Sequence, residues 1–125
     1  MSKPSTYVPI VNALARPVDL FAGMNGTEKE FALILEARRR NEEIRSWRFE
    51  AITLTLGVDC RYTPDFYIIG WDGDIWFAET KGFWRDDAKV KIRVAARLFP
   101  EFTFTAHRKL PKKKGGGWIE ESFTP

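Results

Sequence analysis

A chain of 125 residues with 20 basic and 17 acidic side chains, 44% hydrophobic, is long enough to bury one core and too apolar to be disordered. The single cysteine excludes an internal disulfide, and with only one histidine beside it the chain offers no Cys/His zinc cluster and disfavours a Ser-His-Asp triad. No apolar run approaches the roughly 20 residues that span a bilayer, and the N-terminus lacks a basic stretch leading into a long apolar one, so the chain reads as cytoplasmic and not membrane-bound.

In chain order, residues 1–24 scatter Pro4, Pro9, Pro17 and Gly23 among apolar side chains and read as an arm or short strand. Residues 24–27 make a turn. Thr27 and Glu30 have the spacing of a capping box, and Phe31, Ile34 and Leu35 form the apolar stripe of a helix running to about Glu43. Glu28 lies over the edge of that stripe, either leaning toward the interior or serving as a first-turn acid favoured by the helix dipole. Arg38, Arg39 and Arg40 fall on the solvated side. Ile52, Leu54, Leu56 and Val58 alternate with Thr53 and Thr55, which predicts a strand over 49–58. Pro64 suits the start of a second strand over 66–69, residues 70–74 a turn, and 75–81 a third strand. Asp86 and Asp87 read as the cap of a second helix that ends at Phe99 before Pro100, with Val90, Val94, Ala95 and Leu98 facing inward. A fourth strand over 102–107, a Lys/Gly-rich loop over 109–117 and a last short strand over 118–123 complete the chain. The expected order is α-β-β-β-α-β: an α/β domain with an arm (1–24), a core (25–108) and a basic loop with a C-terminal strand (109–125).

The chemistry concentrates in two stretches, Arg61-Tyr62-Thr63-Pro64-Asp65-Phe66 and Ala78-Glu79-Thr80-Lys81-Gly82. Folding alone gives little reason for three charges inside such apolar strands. Glu79 and Lys81 share a strand face, because side chains repeat every two residues. Asp65 joins them only if it pairs with Glu79 across the hairpin. A two-residue turn would send Asp65 to the opposite face; an odd-length loop or a bulge brings it opposite Glu79. With that register Asp65, Glu79 and Glu28 converge. Clustered carboxylates repel unless a cation bridges them, and hard oxygen ligands favour Mg²⁺ or Mn²⁺. Such a site cleaves phosphodiesters, with Lys81 stabilising developing charge or placing a water. The competing reading makes Asp65 and Lys81 a structural ion pair.

Charge is uneven. Residues 82–117 hold ten basic and three acidic side chains, a net +7, which leaves −4 for the rest. A basic half beside an acidic remainder suits a polyanion, or is an ordinary solvated surface. Lys89, Arg93 and Arg97 share one face of the second helix, and Lys112, Lys113 and Lys114 lie among glycines in a cationic loop. Trp84 and Arg85, directly after the Glu-x-Lys strand, are further candidates for nucleic-acid contact.

Tyr62-Thr63-Pro64-Asp65-Phe66, followed by Glu79-Thr80-Lys81-Gly82-Phe83-Trp84 and Asp86-Asp87, resembles the phage endonuclease I type of Holliday-junction resolvase and, more broadly, the PD-(D/E)xK nucleases. The resemblance covers residues 25–105. It implies a restriction-endonuclease-like core, a mixed sheet flanked by helices. It also implies a Mg²⁺-dependent endodeoxyribonuclease acting on branched DNA as a homodimer, with Glu28, Asp65, Glu79 and the Thr80 carbonyl as metal ligands and Lys81 as the catalytic lysine. The same core carries other nucleases, so fold does not fix substrate. A nucleic-acid-binding module without catalysis is the alternative.

Overall fold

Helix α1 (Gly26–Arg40) is capped two residues earlier than the Thr27–Glu30 spacing implies. Asn25 is the N-cap: its side chain accepts from the Glu28 N–H, and the Glu28 carboxylate accepts from the Asn25 N–H, each at 2.8 Å. The cap fixes the helix phase. Phe31, Ala32, Leu35 and Glu36 turn inward, and Ile34, expected in the stripe, is exposed. The computed structural model describes residues 19–81 and 86–123. Most of the expected arm, and both Trp84 and Arg85, lie outside these residues.

The chain then forms β1 (Ile44–Phe49), β2 (Leu54–Gly57), β3 (Cys60–Tyr62), β4 (Phe66–Gly70) and β5 (Ile75–Lys81), followed by α2 (Asp86–Leu98), β6 (Thr103–Lys109), a single 3₁₀ turn (Lys112–Lys114) and β7 (Trp118–Ser122). This is an α/β fold with a mixed five-stranded sheet, order β1-β4-β5-β6-β7, and a separate β2–β3 hairpin. Among the described strands only β5 and β6 run parallel. They are joined through α2, as a parallel pair requires a crossover.

The single strand expected over 49–58 is two strands with a break. Phe49 pairs with Phe66, the first residue of β4, so β1 has no partner beyond it. Glu50 adopts a left-handed backbone (φ 47°), and its N–H donates to the Asp65 carbonyl at 2.8 Å. The chain therefore leaves the sheet at Glu50 and returns as the β2–β3 hairpin. Between Ile44 and Ser46 the β1–β4 register shifts, which breaks strict alternation along β1.

Two cores sandwich the sheet. On one face Phe31, Ala32 and Leu35 of α1 pack on Ile44, Phe66, Ile68 and Ala78. On the other, Ile92, Ala95 and Ala96 of α2 pack on Phe77, Phe104 and Ala106, with Leu54 and Tyr62 of the hairpin closing the same cluster. The inner face of α2 thus differs from the expected one: Ala95 is buried, but Val90, Val94 and Leu98 are exposed. Spacing 92-95-96 is as helical as 90-94-98, and Ile92 sits in the middle of the winning stripe. His107 is buried against Phe31, with ring centroids 4.5 Å apart, and shares a hydrogen bond of 2.8 Å with Thr105. Burial and the nearby Arg38 lower its pKa to about 4, so it is a neutral core residue at pH 7.

Candidate active site

The connection from β4 to β5 decides whether a site exists. Ile69 pairs with Ile75 and Phe66 with Ala78, so the loop holds five residues, 70–74, an odd number. It is closed by the Gly70 N–H to the Asp74 carbonyl (2.8 Å) and the Gly73 N–H to the Gly70 carbonyl (3.0 Å). Gly73 has φ 91°, a conformation that strains any side chain. This register carries Asp65 opposite Glu79, the condition for the two carboxylates to meet.

β4 begins only at Phe66, so one step further the backbone ladder ends and side chains take its place. The Asp65 N–H donates to Glu79 Oε1 at 2.8 Å. The Thr80 N–H and hydroxyl both donate to Asp65 Oδ2, at 2.9 and 3.2 Å. In an extended strand the N–H and C=O of one residue leave on the same side, so the Thr80 carbonyl emerges at this same edge. Asp65, Glu79 and Thr80 are 8%, 7% and 3% exposed, deep enough that charge on them is costly.

The two carboxyl groups lie within hydrogen-bonding reach of each other. Burial, then the neighbouring Asp65, pushes the Glu79 pKa up to about 8, against the pull of the Asp65 N–H and of Lys81. Burial also raises the pKa of Asp65, and the charge of Glu28 adds to it. Lys81 Nζ is 3.8 Å from Glu79 Oε2, at the limit of an ion pair, and the side chain is 37% exposed. It shares the strand face of Phe77 and Glu79. Without another cation the pair holds a proton at neutral pH.

Glu28 reaches the same end of the sheet without joining the pair. Its helix packs on the sheet face opposite to that of Phe77 and Tyr62, and its carboxylate is engaged by the Asn25 N–H. Among the described residues no three Asp, Glu, His or Cys side chains come close enough to hold a metal ion between them. Asp65, Glu79 and the Thr80 carbonyl are nonetheless hard oxygen donors, the donor type that Mg²⁺ and Mn²⁺ select.

One neighbour of the pair escapes a reading of charges alone. The Tyr62 ring lies in the hairpin cluster with Phe77, close enough to the pair that burial and then the charges of Glu79 and Asp65 raise its pKa. Its signal in the sequence is position, three residues before Asp65 at the end of an apolar hairpin strand.

The basic residues divide. β6 runs parallel to β5 with Lys81 beside Arg108, so the loop after β6 leaves from the end of the sheet that bears the carboxylates. Lys112, Lys113 and Lys114 are exposed there in the 3₁₀ turn, and Gly115, Gly116 and Gly117 follow with φ of 97°, 67° and 78°. On α2, Arg93 and Arg97 are exposed, whereas Lys89 pairs with Glu121 at 3.3 Å and Lys91 donates to the Arg61 carbonyl at 3.0 Å. No helix among the described residues is long and apolar enough to cross a membrane. Comparison of the chain with family models, curated proteins and solved structures finds no match.

Proposed function

We propose that the protein is a divalent-metal-dependent DNA endonuclease with a restriction-endonuclease-like core, acting on branched DNA. One observation carries this reading: two buried carboxyl groups stand within hydrogen-bonding reach of each other at the end of adjacent strands, and a half-exposed lysine at 3.8 Å is the nearest cation among the described residues. A fold gains nothing from such a pair, since buried like charges cost stability. Asp65, Glu79 and the Thr80 carbonyl would hold Mg²⁺ or Mn²⁺, with Glu28 close enough to contribute charge. When bound, the metal supplies a polarised phosphate oxygen and a water of lowered pKa. The chain's own residues do the rest. Thr80 fixes the Asp65 carboxylate through two donors, the Asp65 N–H fixes that of Glu79, and Lys81 offers its ammonium to the non-bridging phosphate oxygens as negative charge develops there. Arg93, Arg97 and Lys112–Lys114 supply phosphate contacts that hold DNA against this edge.

Incubating the protein with four-way junction, linear duplex and single-stranded DNA tests the reading. Mg²⁺-dependent cleavage, strongest on the junction and stopped by EDTA, is the expected result. Intact DNA of all three kinds from folded protein overturns it. The engagement of Glu28 by its own helix cap favours a second reading, a DNA-binding module without catalysis. Such a module binds junctions yet gains no thermal stability from Mn²⁺.

A further inference from the structure

We infer that the cleft between β1, β4 and residues 51–52 is a nucleoside pocket, which takes one unstacked base of the DNA held at the carboxylate pair. The inference rests on the nuclease reading of the pair and names the part of the substrate that a neighbouring stretch of the same sheet face receives.

The cleft measures about 300 Å³ and is lined by Ser46, Arg48, Ala51, Ile52, Tyr67 and Ile69. Among the described strands β1 pairs with β4 alone, at one edge of the sheet. Arg48 stands opposite Tyr67 and Ser46 opposite Ile69, so these four side chains leave one sheet face. It is also the face of Phe77, which pairs with Tyr67. Helix α2 packs there over Phe77, Phe104 and Ala106. The chain turns out of the sheet at Glu50 and brings Ala51 and Ile52 over the part nearer β1, which leaves a walled cleft in place of a packed core.

Ile52 and Ile69 are apolar walls. Tyr67 is half-buried and backed by Phe77, with ring centroids 5.6 Å apart. The Ser46 hydroxyl, the Arg48 guanidinium and the Tyr67 hydroxyl have no hydrogen bond or ion pair to any described residue. Arg45, on the same strand as Arg48, is by contrast engaged: it donates to the Trp71 carbonyl at 2.6 Å and lies 5.3 Å from the Trp71 ring centroid. An aromatic surface between aliphatic walls, with one such cation and two hydroxyls, suits a flat heterocycle that carries an anion. A nucleotide is a ligand of this kind. Its base stacks on Tyr67, the hydroxyls meet the polar edge of the base, and Arg48 meets a phosphate. A volume of about 300 Å³ is at the low end for ligand sites and holds one base rather than a base pair.

The cleft also lies where the substrate would pass. Tyr67 follows Asp65 on the same face of β4, about 7 Å along the strand, and Phe77 precedes Glu79 by the same step on β5. A nucleotide next to a phosphate held at the carboxylates is therefore within reach of the cleft. Extruding a base costs least where its stacking or pairing is already interrupted, as at a branch point.

Four-way junctions carrying 5-iodouracil in turn at each nucleotide flanking the branch test the pocket in EDTA, where no cleavage intervenes. On irradiation one position should crosslink to Tyr67, located by mass spectrometry of the digested protein. Tyr67→Leu should lose the crosslink and bind the junction about tenfold more weakly. Arg48→Gln, a change at an exposed residue that spares the fold, should weaken binding and flatten the slope of log K against log salt by about one. The melting temperature in EDTA is the folding control for both. Crosslinks that map elsewhere, or parental junction affinity in Arg48→Gln and folded Tyr67→Leu, overturn the pocket and leave the nuclease reading to its own cleavage assay. A crosslink at Tyr67 from a protein that never cuts DNA supports the pocket and overturns the nuclease reading alone. Absence of junction binding by the parent overturns both.

Discussion

Two glutamates of this fold are almost equally buried and face opposite fates. Glu36, 8% exposed, sits on the inner side of α1. Arg39 grips both its oxygens at 2.7 and 2.8 Å, Trp47 Nε1 donates to it at 3.1 Å, and Arg40 lies 3.6 Å away. The Arg39 bonds above all hold its pKa down at about 2. Glu79, 7% exposed, has a backbone N–H, a distant lysine and a second carboxylate. Its pKa climbs to about 8. Both are shielded from solvent, but Glu79 lies deeper, where burial is the main cause of its rise, and it lacks the counter-charge that Arg39 gives Glu36. Glu36 is complete within the chain, whereas Glu79 and Asp65 lack a positive charge that the described residues do not provide. A buried acid of the second kind marks a place where something binds.

The largest expected effect separates the two by activity. Glu79→Gln, Asp65→Asn or Lys81→Ala should each lower junction cleavage by about three orders of magnitude or more, with junction binding retained. Glu36→Gln should cleave at the parental rate per folded molecule. Loss of cleavage in folded Glu36→Gln would break the comparison.

Stability should run the other way. Glu36→Gln gives up charge-assisted bonds to Arg39 and should lose about 1.5–3 kcal/mol in urea unfolding. Glu79→Gln at pH 8 in EDTA should unfold no more easily than the parent, because it removes a charge that is costly to bury. The pH dependence sharpens this. Glu79, raised from the usual 4.5 to about 8, contributes fully to stability below pH 4.5 and loses that contribution as pH rises through 8. Glu36, lowered from 4.5 to about 2, contributes fully above pH 4.5 and loses it as pH falls through 2. Between pH 6.5 and 8, above the range in which His107 exchanges its proton, metal-free melting temperature should therefore decline in the parent and stay flatter in Glu79→Gln. Below about pH 3, where His107 has taken its proton, the parent should decline further and Glu36→Gln should not. Mn²⁺ should restore the alkaline loss in the parent alone, since it displaces the proton from the pair.

The site is legible in the sequence because its parts are local and rule-bound. Asp65 and Glu79 stand out as charges in apolar strands, and period-two geometry turns their meeting into a condition on one loop, which the five residues 70–74 satisfy. The α/β class and the central strands are readable for the same reason. β1 is not, because a register shift at Ile44–Ser46 scrambles its alternation and leaves Arg45, Ser46 and Arg48 looking like loop. The inner face of α2 is ambiguous because two helical stripes compete there, and only the position of Phe77 and Phe104 on the sheet selects Ile92 over Val94. Asn25 is masked as a cap because Thr27 offers the same spacing two residues on. The packing of Tyr62 against Phe77 beside the site depends on a hairpin that folds back from outside the main sheet, and no short-range pattern reports that.

The smallest effect concerns cations that are near the site without belonging to it. Lys112, Lys113 and Lys114 leave from the same end of the sheet as the carboxylates, yet all three are exposed, and an exposed ammonium neutralises a buried carboxylate poorly through water. Their replacement by alanine together should leave the Mn²⁺ affinity, the alkaline decline in melting temperature and the single-turnover cleavage rate at saturating protein unchanged. Junction affinity should fall, and the slope of log K against log salt should flatten by about one for each phosphate that is no longer neutralised. Were the triple variant instead to shift the pH at which the parent loses stability, the loop would be supplying Glu79 with the counter-charge that Arg39 gives Glu36. The two glutamates would then differ in where their cation comes from, and no longer in whether the chain provides one.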